Sequence, residues 1–243
     1  MDITNFRQLD YFIKKGAIPR IELIDKLSVD FNMGFFLGIE NGFPLHEASK
    51  LSAQSLKQSW EENNNYIERV IEYLEEFWNW EIEYSENYIN LHLDNEIIRA
   101  IKNETFQPPT TCCPIYIITV GEGESEKVVY IGKTSSTNNR FKGGHTVALK
   151  LHHPKYDGLK KSIYFSSVML LSTDEEYLPL EFISNFKGAE KLLLEVEASL
   201  IYHYKPELNT ISKKKANYDI VSEVHIQNFS KYSNFLNDNF ISV

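Results

Sequence analysis

The sequence predicts an α+β fold: a β-β-α-β-α core, in which a small mixed sheet is flanked by helices, with a mainly helical region before it and a C-terminal helix after it. Three observations lead there. Ile67, Val70, Ile71, Leu74, Phe77 and Trp78 recur at three- and four-residue spacing with glutamates on the opposite side, the mark of an amphipathic helix. Residues 114–132, PIYIITVGEGESEKVVYIG, place two β-branched and aromatic runs around a glycine- and glutamate-rich connection, which is a hairpin. Residues 188–204 are helical in pattern and stop ahead of Pro206.

Taken in chain order, short helical pieces are expected near RQLDYFIKK and LHEASKLSAQSLKQSW, ahead of the long amphipathic helix. EYSENYINLHLD reads as either a strand or another helix. NETFQPPTTCCP holds three prolines and marks the boundary of the hairpin unit. This divides the chain into residues 1–108, a mainly helical acidic region with an accessory, dimerisation or partner-binding role, and residues 109–243, a hairpin-containing domain with a closing helix. After the hairpin come a helix near RFKGGHTVALKLHH, a strand at SIYFSSVMLL and the 188–204 helix. IQNFSKYSNFLNDNF closes the chain as an amphipathic helix, with Ile226, Phe229, Phe235 and Leu236 packed onto the body.

Composition narrows the function classes. With 243 residues, 42% of them hydrophobic, the chain has enough apolar material for a substantial core. No run approaches the roughly 18 uninterrupted apolar residues of a membrane helix, and MDITNFRQLDYF lacks a signal peptide's pattern. A cytoplasmic location and no membrane partner are therefore expected. Cys112 and Cys113 are adjacent and have no zinc-type spacing to another cysteine, so both are read as reduced.

The net charge of −9 is unevenly spread. Residues 1–109 hold 10 Lys and Arg against 19 Asp and Glu, whereas residues 110–220 hold 14 against 13. An acidic surface repels phosphates, so the first region is not expected to bind nucleic acid by itself. Arg140, Lys142, Lys150, Lys155, Lys160 and Lys161 follow the hairpin with Asp157 as the single acid among them. That cluster is either a phosphate-facing surface or a solvated helix face.

The polar residues carry the chemistry. Tyr116 lies in the first hairpin strand and Tyr130-Ile131-Gly132 ends the second; Lys133, Arg140 and His145 follow. Glu197-Ala198-Ser199-Leu200-Ile201 lies on the later helix, and Pro206-Glu207-Leu208-Asn209 is the turn after it. In order and spacing these elements resemble the GIY-YIG nuclease superfamily, over about residues 112–212. The first motif departs from the pattern, being Pro114-Ile115-Tyr116 where the family has Gly-Ile-Tyr. The tyrosine survives, so the resemblance implies altered entry into the strand with activity retained.

The resemblance implies a metal-dependent endonuclease that hydrolyses phosphodiester bonds in DNA. Its catalytic set would be Tyr116, Tyr130, Lys133, Arg140, His145 and Asn209, with Glu197 as the metal ligand. One carboxylate suits a single Mg²⁺ that keeps most of its waters, with Mn²⁺ as the alternative ion. Arg140 offers a planar fork to non-bridging phosphate oxygens, and His145 titrates near working pH. Tyr116 is the implied general base, its phenol requiring acidification by cations such as Lys133 and Arg140. Tyr130 would orient water or phosphate, and Asn209 would hold Glu197 or the backbone of the site. Lys142, Lys150, Lys160 and Lys161 are the expected nucleic-acid contacts, and Lys213 to Lys215 either join them or stay solvated. His152 and His153 have no third ligand at metal spacing and are structural or phosphate-facing.

Two readings follow. One is a restriction or other defence-type nuclease acting on DNA, as a homodimer where both strands are cut. The other is a nuclease subunit or toxin, targeted by a protein partner through the acidic first region.

Overall fold

The structure, a computed structural model, describes residues 9–19, 35–50, 55–85, 88–104, 107–134, 146–171, 177–182, 186–211 and 223–242. Arg140, Lys142, His145 and Lys213 to Lys215 lie outside the described residues.

The hairpin forms where two β-branched runs flank its glycine-rich turn: β5 (Ile115–Val120) pairs antiparallel with β6 (Lys127–Lys133). Tyr116 sits opposite Gly132, Ile117 opposite Ile131, and Ile118 opposite Tyr130. On its other side β5 pairs with β7 (Lys161–Leu171), which also pairs with β2 (Phe35–Pro44). Beyond the end of β5, β7 is covered by the short β8 (Tyr177–Pro179). β2 runs parallel to β9 (Glu223–Asn228), and β10 (Asn239–Ser242) forms the far edge. The strand order is thus β10-β9-β2-β7-β5-β6, seven strands with β8 included.

This corrects the expected fold class. The sheet is large, it takes a central strand from the region expected to be mainly helical, and its last two strands replace the expected C-terminal helix. Continuous burial of Phe35, Phe36, Leu37 and Ile39 explains the first miss, since a strand covered on both faces has no alternation to read. The second is local: Val224 and Ile226 are buried while His225 and Gln227 are less so, a period of two. After β9 the Asn228 side chain bonds the carbonyl of Phe235 at 2.7 Å, and Leu236 and Asp238 adopt positive φ, which no helix sustains. The packing residues expected there still meet the body: Ile226 is in the core, Phe235 and Leu236 pack against it, and Phe229 stacks on Phe36.

Elsewhere in the first region, α1 (Leu9–Lys15), α2 (Leu56–Trp78) and α3 (Asn95–Glu104) form as amphipathic patterns require. Ser55 caps α2 by accepting from the Gln58 amide at 3.2 Å, and Asn79 ends it in the left-handed conformation. Its buried face includes Ile67, Val70 and Leu74, with Ile71 and Trp78 packed against the same core, whereas Phe77 is 71% exposed and falls off the apolar stripe. The segment EYSENYIN supplies two strands, β3 (Glu83–Tyr84) and β4 (Tyr88–Asn90), which join β1 (Ala17–Pro19) in a three-stranded sheet.

The core lies on both faces of the hairpin. Ile115, Ile117 and Ile131 join one cluster with Leu193, Val196 and Leu200 of α5 (Phe186–Tyr204) and Val70 and Leu74 of α2. Tyr116, Ile118 and Val120 join a second with Val147 of α4 (Thr146–Lys150), Leu151 and Tyr156. The helix expected near residues 140–153 is described only as α4; a turn follows it, and His153 accepts from the Lys155 amide at 3.3 Å.

Candidate functional site

The hairpin tyrosines are packed through a glycine. Their rings lie 6.0 Å apart at 32°, and a Cβ on Gly132 would sit 2.5 Å from Tyr116 Cζ and Oη and 2.8 Å from Tyr130 Cε1. Only a residue without a side chain lets both phenols lie over β6. Tyr116 is 0% exposed, with Phe165 on its other side at 6.4 Å, whereas Tyr130 is half-buried.

β6 is an edge strand, and its free side is taken up by the turn after α5. Asn209 accepts from the Ile131 amide at 2.9 Å and donates to the Ile131 carbonyl at 2.8 Å. The side-chain amide therefore imitates a neighbouring strand at the residue between Tyr130 and Gly132. The Leu208 amide adds a bond to the Val129 carbonyl at 3.0 Å. Of the two roles expected for Asn209, the geometry shows the contact with backbone. The same turn is anchored from outside: Glu207 accepts from Lys155 Nζ at 2.9 Å and from Tyr156 Oη at 2.5 Å. The Lys155 hydrogen bond, seconded by that from Tyr156, holds the Glu207 carboxyl below its usual range.

Between β6, α4, α5 and this turn lies a cavity of about 290 Å³, whose walls include Tyr130, Lys150, Glu197, Asn209 and Thr210. α5 presents Leu194, Glu197 and Ile201 to it at helical spacing. Glu195 is absent from this lining; it is 7% exposed and its carboxylate lies 3.4 Å from Lys191 Nζ. The structure thus brings Tyr130, Glu197, Asn209 and Lys150 together, with Tyr116 sealed behind Gly132. Lys133 lies half-buried at the end of β6, and Lys161 opens β7, with Lys160 just before it, on the other side of α4.

Among the described residues, no group of three or more His, Cys, Asp or Glu side chains is close enough to hold a metal ion. One half-buried carboxylate beside a cavity with room for several waters fits an ion that binds through one protein oxygen, several waters and a substrate phosphate, as Mg²⁺ does. It does not fit a closed zinc site. Cys112 and Cys113 form no disulfide, and burial pushes the Cys112 thiol well up, so it is not a ready nucleophile.

Sequence reasoning missed the anchoring of the turn by Tyr156, and missed that β6 is an edge strand whose outer side is met by the Asn209 amide. The first has no sequence signal, because residues 156 and 207 meet only through the fold. Among the described residues no helix is long and apolar enough to cross a membrane. No protein-family model, curated protein or solved structure matches the chain.

Proposed function

We propose that the chain is a Mg²⁺-dependent DNA endonuclease of GIY-YIG type that hydrolyses phosphodiester bonds. The observation that supports this most is the joining of Tyr130, Glu197 and Asn209 at one cavity, with Gly132 admitting Tyr116 behind them. Those three residues, picked out by motif, come from three separate segments and meet at its wall.

Glu197 would hold the ion and Lys150 would meet a phosphate oxygen at the cavity wall. The ion's contribution is to neutralise charge developing on the phosphate and leaving oxygen. Tyr130, which lines the cavity, is the tyrosine assigned to orient or deprotonate a water. Tyr116, without exposed surface, positions Tyr130 across Gly132, which moves the general-base assignment from the first tyrosine to the second. Arg140 and His145 keep the roles the resemblance implies, clamping non-bridging oxygens and moving a proton. A restriction or defence setting is the corresponding biological role.

The test is direct. Purified full-length protein is incubated with supercoiled plasmid, linear duplex and single strands, with Mg²⁺ and with EDTA. Cleavage that depends on the ion is expected; absence of cleavage of all three substrates at every Mg²⁺ and Mn²⁺ concentration would sink the reading.

A further inference from the structure

α4 stands between two cavities. Thr146, Val147 and Lys150 face the Glu197 cavity, while Ala148, Leu151 and His152 line another of about 440 Å³. The second is closed by the Pro44–His46 corner after β2 and by Leu159–Lys161 at the start of β7. Its volume lies within the roughly 300–1,000 Å³ of small-ligand sites.

Its chemistry is divided. Leu45, Leu151 and Leu159 give it an apolar wall, and its basic lining residues are His46, His152, Lys160 and Lys161, with no carboxylate in the lining. Two of the four have local engagements: His46 lies 3.7 Å from Glu47, and Lys160 Nζ lies 4.6 Å from the Tyr232 ring centroid. A hydrocarbon ligand has no use for the cations, and a bare inorganic anion has no use for the apolar wall. A nucleotide matches both, its base on the wall and its phosphate against the basic mouth.

We infer that this second cavity receives an unpaired nucleobase of a nucleic-acid strand, with the adjoining phosphate against Lys161 and His152, on the same strand that reaches the Glu197 cavity across α4. The inference deepens the nuclease reading and rests on it. A helix is about 10 Å across with its side chains, a distance that about three nucleotides cover at the rise of a stacked strand and fewer cover when the strand is unstacked. A base in the cavity has left its stack, so the substrate class is single-stranded or locally unpaired nucleic acid and not continuous duplex.

The experiment measures binding of a fluorescent oligothymidylate and of a matched duplex to the full-length protein in EDTA, by anisotropy. The single strand should bind at least about tenfold tighter than the duplex. Ala148→Phe, which fills the cavity from α4, should weaken single-strand binding about tenfold while leaving its salt dependence intact. Lys161→Ala should flatten the slope of log affinity against log salt by about 0.7, one phosphate contact. Leu159→Glu, at a residue 41% exposed and so tolerant of change, puts a carboxylate at the mouth and should weaken binding even if Ala148→Phe disturbs folding. Wild-type affinity in both cavity variants, duplex binding as tight as single-strand binding, or no binding at all would overturn the inference. Full competition by free thymidine monophosphate at equal concentration would assign the cavity to a free nucleotide, which also overturns it. Cleavage is scored separately with Mg²⁺: cavity-dependent binding without cleavage removes the nuclease reading alone, and cleavage with cavity-independent binding removes this inference alone.

Discussion

The two edges of the large sheet handle the same problem in different ways. An edge strand presents unpaired backbone groups that invite unwanted pairing. At β6 these groups are met by a side-chain amide and a turn: Asn209 takes both groups of Ile131, and Leu208 takes the Val129 carbonyl. At β10 the strand is four residues long, and among the described residues its ring contact is Phe240 stacking on His225 at 4.0 Å and 6° while remaining 65% exposed. A strand neighbour or a surface ring leaves no space at an edge. An amide reaching in from a turn leaves room for a cavity beside it, and that is where the candidate site lies.

If the β6 edge is the chemical one, its polar residues should show the largest effects. Glu197→Gln should lower cleavage by at least about a thousandfold, roughly 4 kcal/mol of barrier, with nucleic-acid binding kept. Glu195→Gln should leave the cleavage rate of folded protein near normal, since Glu195 lies outside the cavity. Equal damage from both would break the comparison, because the effect would then follow from α5 and not from the edge.

The two tyrosines sharpen it further. Tyr130→Phe should reduce turnover about a hundredfold, the lower end of acid–base contributions, and shift its pH profile. Tyr116→Phe should cost less and leave the profile's shape alone. A larger loss in Tyr116→Phe would restore the first tyrosine as base.

Asn209→Ala tests the edge as structure. It strands a buried amide and a buried carbonyl at Ile131, so chemical denaturation should show a loss of about 2 kcal/mol. Phe240→Ala at the opposite edge should stay within about 0.5 kcal/mol of wild type. Equal losses would mean that the edges are not different in kind.

The smallest effect concerns the anchor of the turn. Because the folded-state pKa of Glu207 is depressed, its contribution to stability is present above the unfolded carboxylate value of about 4.3 and is lost as pH falls through the folded one. The difference in melting temperature between wild type and Glu207→Gln should therefore shrink as pH is lowered from 7 to below 4. A difference that stays constant with pH would mean that the Lys155 and Tyr156 contacts do not hold in solution.

What the sequence made legible was local. The hairpin is written in two β-branched and aromatic runs around a glycine turn, and α5 in helical spacing that ends before Pro206, so both were readable without partners. The motif residues on them could be ordered but not ranked by exposure: whether Tyr116 or Tyr130 meets water depends on Phe165 and on how Gly132 seats the rings. β2 was illegible because a strand buried on both faces has no alternation to read, whereas β9 carries a short period of two that the helical reading of the following residues overrode. The cavity behind α4 was illegible because His46, His152 and Lys160 come from three segments. The basic cluster itself was visible, but not that two of its lysines share a cavity with a histidine from the first region.

The seat of β2 also governs when the protein can complete itself. Phe35 and Phe36 lie opposite Leu170 and Met169 on one side and Val224 and His225 on the other. Pairings so distant in sequence carry a loop-closure cost before they return any contact, and they slow folding. During synthesis the apolar FFLGI segment leaves the ribosome long before either partner strand exists. Until β7 arrives it is an aggregation-prone strand without a sheet, and until β9 arrives it is an edge. The β5–β6 hairpin, by contrast, can close as soon as its own turn is made. Folding of this chain is therefore expected to begin at the hairpin that carries the two tyrosines and to finish at the parallel pair β2–β9.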